Sequence, residues 1–122
     1  MRFVKIIAAA AATAGMLAAG PAVAHAKLLK STPSAHAGIA APRMVSVSFD
    51  DPLVPAFSKL LLVMPMSGHN MALPLSTRFV DHGKTMVGTP NTALKKGSYA
   101  LNWTAATPDG HRTTGSVPFQ VR

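Results

Sequence analysis

Three groups of side chains in this sequence have the types and spacing to hold a metal ion. Met64, Met66, His69 and Met71 fall within eight residues. Thioethers are soft donors that suit Cu(I), above all where no thiolate competes, and the chain has no cysteine. Methionine is also a flexible hydrophobe that fills gaps in a core. That account fits Met44 and Met86, which stand in strand-like surroundings. It fits poorly a stretch in which Pro65, Ser67, Gly68 and Asn70 separate the methionines. The stretch reads as a loop, with Met64 at the end of an apolar run.

The second group is Asp109 and His111, which flank Gly110 in Thr107-Pro108-Asp109-Gly110-His111. If the chain is extended there, residues two apart share a face and the carboxylate and imidazole converge on one ion. Pro-Asp-Gly is equally ordinary turn chemistry that a neighbouring histidine decorates. The third group is a single residue. Ala22-Val23-Ala24 has small residues at the third and first positions before a cut, and cleavage there makes His25 the first residue. Its α-amine, with a pKa of about 8, would then lose its proton readily to a metal and close a chelate with the imidazole of the same residue. Two nitrogens in a plane are what Cu(II) favours, with imidazole and carboxylate as further donors. Ala24-His25-Ala26 offers a competing cut that would discard the histidine.

That processing site belongs to a larger signal. Residues 1–24 begin with Arg2 and Lys5, continue through an alanine-rich run and break at Gly20-Pro21. A positive start, a short apolar middle and small residues before a cut make a cleaved secretory signal peptide rather than a membrane span. Its removal leaves 98 of the 122 residues, and the loss of Arg2 and Lys5 takes the formal net charge from +8 to +6. Without cysteine there is no disulfide framework, no thiolate metal site and no cysteine nucleophile. The remaining cations are scattered, with Lys95-Lys96 the one adjacent pair, which speaks against a nucleic-acid-binding stripe.

The elements that must position these groups are short. Val45, Val47 and Phe49 alternate with polar residues, as do Tyr99, Leu101 and Trp103, and again Val117, Phe119 and Val121. That period of two marks strands with one buried face. Lys59 to Met64 is an apolar run suited to a buried strand, and Pro118 implies an edge or a bulge. Turn signals at Thr32-Pro33-Ser34, Asp51-Pro52, Ser67-Gly68, Asp81-His82-Gly83, Lys96-Gly97-Ser98 and Pro108-Asp109-Gly110 separate the runs. About seven short strands in one all-β antiparallel sandwich over residues 25–122 follow from this spacing.

Taken in order, these fragments resemble the CopC-type periplasmic copper-carrier family associated with copper resistance. The resemblance runs from His25-Ala26-Lys27-Leu28, Ser31-Thr32-Pro33 and Ala41-Pro42 to Phe49-Asp50-Asp51 and the methionine stretch. It continues through Gly97-Ser98-Tyr99, Trp103, Asp109-Gly110-His111 and Thr114-Gly115-Ser116-Val117. It implies a Greek-key β-sandwich or barrel, cupredoxin-like or immunoglobulin-like, and an exported, periplasmic protein without catalytic activity. It implies a Cu(II) site at one end, made by the amine and imidazole of His25, the carboxylate of Asp109 and the imidazole of His111. In some members a Cu(I) site lies at the other end, and here its ligands would be drawn from Met64, Met66, His69 and Met71. This methionine stretch is shorter than in the richest members. Asp50 and Asp51 stand where some relatives carry Glu, while His36 and His82 match no ligand position and read as surface residues. A membrane copper transporter, in the inner membrane, is the partner the resemblance implies.

The rival enzymatic reading is a copper oxidase that uses an N-terminal histidine brace. Such an enzyme needs an open coordination position and a platform for a polymeric substrate, and one Tyr and one Trp offer little to build it. An anionic Asp109 ligand would also favour Cu(II) and oppose redox cycling. An immunoglobulin-like adhesion module is the third reading. Hydrolysis has no Gly-x-Ser-x-Gly turn or carboxylate pair to support it.

Overall fold

The alternation over Val45–Phe49 produces a strand whose three apolar residues are buried while Ser46 and Ser48 face outward. The same logic repeats along a computed structural model that describes residues 26–122. In chain order the strands are β1 (Leu28–Thr32), β2 (Gly38–Ile39), β3 (Val45–Phe49), β4 (Lys59–Met66), β5 (His69–Leu73), β6 (Leu75–Val80), β7 (Thr85–Pro90), β8 (Gly97–Ala106) and β9 (Arg112–Val121). A 3-10 turn at Pro55–Phe57 precedes β4. The expected signal peptide, and His25 with it, lie outside the described residues.

Two sheets face each other, one in the order β1-β3-β7-β6 and the other in the order β2-β9-β8-β4-β5. The all-β sandwich expected from the sequence is therefore present. Among the described residues the strands number nine rather than about seven, and β2 pairs with β9 in parallel, the one such pair among them. The extra elements are short or polar-faced, so the sequence carries little periodicity to reveal them. Phe49, Phe119, Leu62, Met86, Leu101, Val45, Val47 and Val117 are fully buried between the sheets. The Tyr99 hydroxyl donates to the Lys95 carbonyl at 2.6 Å, the short upstream tie by which a tyrosine corner fastens Greek-key sandwiches.

Trp103 packs edge-to-face on Phe49, with ring centroids 4.9 Å apart. On β9 its cross-strand partner is Gly115, and the ring lies so close that a Cβ there would come within 2.3 Å of it. Glycine is required at this position by contact, since no side chain fits beneath the indole. Pro118 sits within β9, yet the ladder with β8 is intact. Its carbonyl accepts the His36 amide at 2.7 Å, so the side of the strand that lacks an N–H faces away from β8. Proline occupies the edge-like position the sequence called for.

β8 sets the long dimension. Gly97 lies at one end with β5 and the Ser67-Gly68 turn, and Ala106 lies at the other, leading into residues 107–111. Ten strand residues span about 30 Å.

Candidate metal centres at the two ends of the sandwich

At the Ala106 end the chain reverses within five residues. The Gly110 amide donates to the Thr107 carbonyl at 3.0 Å, and the Thr107 amide donates to the His111 carbonyl at 2.9 Å. Gly110 takes φ of +90°, a left-handed conformation that glycine adopts without strain. Asp109 and His111 thus converge because the chain turns, the second of the two geometries the sequence left open, and not because an extended segment puts them on one face. Proline, aspartate and glycine in succession favour the tight reversal over continued strand.

Asp109 Oδ2 accepts from His111 Nδ1 at 2.6 Å, while Oδ1 accepts from the Thr107 hydroxyl at 2.5 Å and from the His111 amide at 3.3 Å. These bonds favour the ionised carboxylate and hold it down from 3.8 to about 2, the Thr107 hydroxyl contributing most and the His111 side chain next. An ionised carboxylate offers about four acceptor positions, so three such bonds leave it able to take an ion as well. Because a carboxylate only accepts, the His111 proton is assigned to Nδ1, which puts the imidazole lone pair on Nε2. Both side chains are nearly half exposed. Thr107 is 4 % exposed, so the hydroxyl that orients Asp109 is anchored in the packed end of β8. Among the described residues no group of three or more His, Cys, Asp or Glu side chains gathers around one point. The described chain contributes a carboxylate and an imidazole here, a donor pair suited to Cu(II).

The beginning of the described chain lies at the same end. The Ala26 carbonyl accepts from the Thr113 hydroxyl at 3.1 Å. The Lys27 amide donates to Asp50 Oδ1 at 2.8 Å, and the Asp50 amide donates back to the Lys27 carbonyl at 3.1 Å. Asp50 is therefore engaged with backbone. Asp50, Asp51, Asp81 and Asp109 all follow strands that end here, so every carboxylate side chain of the described residues belongs to this end.

At the opposite end the methionine stretch is a β-hairpin, which corrects the loop expected from its Pro, Gly and Asn content. Met64 pairs with Met71 and Met66 with His69, directly across the two strands. The connection is Ser67-Gly68, with Gly68 at φ +83°, the second turn position where glycine relieves strain. Directly opposed residues share a face, as do residues two apart along a strand. Met64, Met66, His69 and Met71 consequently line one face of the hairpin. One step further into the molecule, Leu62 opposite Leu73 continues that face into the core. Met64 is partly buried against the core, whereas Met66 and Met71 are 46 % and 40 % exposed. Three thioethers and an imidazole thus emerge from the core-facing side of the sheet with no carboxylate beside them in the hairpin.

Met86 is core, as expected, but Met44 is exposed just ahead of β3. His36 and His82 are exposed and both adopt positive φ, in keeping with surface positions. Sequence reasoning missed Thr107, Thr113 and the backbone role of Asp50. Nothing in their spacing announces them, because their partners come from turn geometry and from distant strands.

This fold defines a small β-sandwich with a carboxylate–imidazole pair at one end and a methionine-rich hairpin at the other. Residues 28–122 match the family described as CopC domain. Copper resistance protein C of Pseudomonas syringae pv. tomato is 39 % identical over 113 residues, covering 89 % of this chain and 90 % of that protein. The crystal structure of PcoC, a methionine-rich copper resistance protein from Escherichia coli, superposes with a TM-score of 0.73 at 33 % identity, covering 81 % of this chain and all of that one. Copper transport protein CutJ of Bacillus subtilis is 27 % identical over 99 residues, which cover 80 % of this chain but 18 % of that longer protein. The chain belongs to the CopC family of copper resistance proteins.

Proposed function

We propose that this protein is an exported, periplasmic copper carrier that binds Cu(II) at one end and Cu(I) at the other. The Cu(II) donors are the α-amine and imidazole of His25, freed by signal cleavage after Ala24, with Asp109 and His111. The Cu(I) donors come from Met64, Met66, His69 and Met71. The protein is a non-catalytic domain over residues 25–122 that delivers its ion to an inner-membrane copper transporter. The presence of a related segment inside the longer CutJ chain supports a transport partner.

The observation that carries this reading is the sorting of donors along β8. Carboxylate and imidazole, which suit the harder Cu(II), stand at one end. Thioethers, which suit Cu(I), stand about 30 Å away at the other. Separate titrations with Cu(II), and with Cu(I) under reducing conditions, test it. His25→Ala and His111→Ala are expected to remove tight Cu(II) uptake and leave Cu(I) uptake intact. Met66→Ala with Met71→Ala is expected to do the reverse. If the histidine variants keep wild-type Cu(II) affinity, or if mass analysis shows the exported chain starting at Lys27, the hard site is wrong.

A further inference from the structure

We propose that Asp50 and Thr113 are positioning residues, a clamp that fixes Ala26 and Lys27 beside the strand leaving the 107–111 turn and so shortens the reach a metal-binding N-terminus would need. The inference rests on the reading of His25 as a Cu(II) donor. Chain ends are usually poorly ordered unless tied down. Here β1 begins only at Leu28, so Ala26 and Lys27 lie beyond the strand proper. Three hydrogen bonds nevertheless fix them. Thr113 holds the Ala26 carbonyl from one side. Asp50 holds both polar groups of the Lys27 backbone from the other, one through its carboxylate and one through its own amide. The side chain of Asp50 supplies the acceptor that a further residue of β3 would have supplied, and so lengthens the β1–β3 pairing beyond Leu28↔Phe49.

The location of the anchor gives the clamp its consequence. Thr113 follows His111 by two residues, about 7 Å of extended chain. The Cα before Ala26 is about 3.8 Å from that of Ala26. The residue proposed to supply the amine and imidazole is therefore bonded directly to a backbone that is fixed beside the strand leaving the 107–111 turn before any ion arrives. Ordering that would otherwise oppose metal binding is completed during folding, which raises affinity without adding a ligand.

The test uses the exported full-length protein with Cu(II) as the probe and a competing chelator to read affinity and dissociation rate. Asp50→Ala is expected to weaken Cu(II) binding about fivefold, the scale of one hydrogen bond, by speeding release. At saturation its electron paramagnetic resonance spectrum should remain wild-type, because the ligands are unchanged. Asp50→Asn keeps the acceptor oxygen and should restore affinity; Thr113→Val should weaken binding and Thr113→Ser restore it. Equal losses in Asp50→Ala and Asp50→Asn, or an altered spectrum, would mean that Asp50 acts by charge or as a ligand and would overturn the clamp. Unchanged affinity in Asp50→Ala and Thr113→Val, with His25→Ala inactive, would overturn the clamp and leave the proposed site standing. Wild-type binding by His25→Ala would instead overturn the site itself. Melting of each metal-free variant identifies any affinity loss that comes from unfolding, and such a loss with no rescue by Asn or Ser also counts against the clamp.

Discussion

Gly115→Ala adds a single methyl group, yet the structure makes it a severe change. The new Cβ would lie 2.3 Å from Trp103 Cζ2, 2.6 Å from Cε2 and 3.0 Å from Nε1. Carbon atoms in favourable contact sit about 3.5–4.0 Å apart, so the ring or the strand must move by more than about 1 Å. The indole cannot swing away easily, because Phe49 stands against it at 4.9 Å between centroids and Trp103 is only 9 % exposed. Overpacking of this kind costs about 1–3 kcal/mol, and a rigid ring wedged between two strands belongs near the upper figure. In a domain of this size each kcal/mol lowers Tm by about 4–8 °C, so a fall of roughly 10–20 °C is expected. Thermal unfolding by circular dichroism measures it. Trp103, the sole tryptophan, reports local repacking through its fluorescence. Trp103→Phe should relieve the clash, so the double variant should be more stable than the sum of the singles by about 1 kcal/mol or more. A Tm within a few degrees of wild type, or an additive cycle, would refute the argument.

Three further outcomes follow from the same geometry. Asp109 has its folded value lowered from 3.8 to about 2, so any stabilisation from its ionised form is complete above 3.8 and is lost only as pH falls towards 2. Thr107→Val, which removes the largest cause, should raise the Asp109 midpoint towards 3.8 in a carboxyl NMR titration; an unmoved midpoint would show that the hydroxyl does not set it. Gly68→Ala places a side chain at φ +83° and should destabilise the hairpin by about 1 kcal/mol and weaken Cu(I) binding, with Gly68→Asn milder on both counts in melting and chelator competition. Oxidation of the Cu(I)-loaded protein should move the ion to the Asp109–His111 end with a rate that rises with protein concentration, since about 30 Å of packed sandwich separates the two ends. Stopped-flow kinetics independent of concentration would exclude transfer between molecules.

What could be read from the sequence depended on how local the cause was. Val45–Phe49 and Tyr99–Trp103 declared themselves because one buried face imposes a period of two on adjacent residues. Pro118 declared its edge-like setting because a missing donor has one tolerable place. β2 is two residues long, and β6 has no buried residue, so neither leaves a pattern. The hairpin at Met64–Met71 was hidden for a different reason. Its Pro, Ser, Gly and Asn lower strand propensity, and pairing across Ser67-Gly68 outweighs that preference. The Asp109–His111 pair was visible as residue types, whereas its mode of convergence depended on two backbone bonds and a buried threonine.

The separation of donors also follows from what a sandwich permits. Inside the ladders almost every backbone polar group is committed and inward side chains are apolar, so ligands can accumulate only where strands end or outrun their partners. At the Ala106 end the strands give way to turns, and turns favour aspartate, which brings carboxylates to Asp50, Asp51, Asp81 and Asp109. At the other end β4 and β5 pair beyond Val63, the last β4 residue in the β8 register. The hairpin therefore prolongs a core-facing surface into solvent, and residues that would be leucines within the core are methionines. Hard donors from turns and soft donors from an overextended core face arise from different structural causes. A change that lengthens the hairpin should accordingly alter Cu(I) capacity while leaving the 107–111 turn untouched.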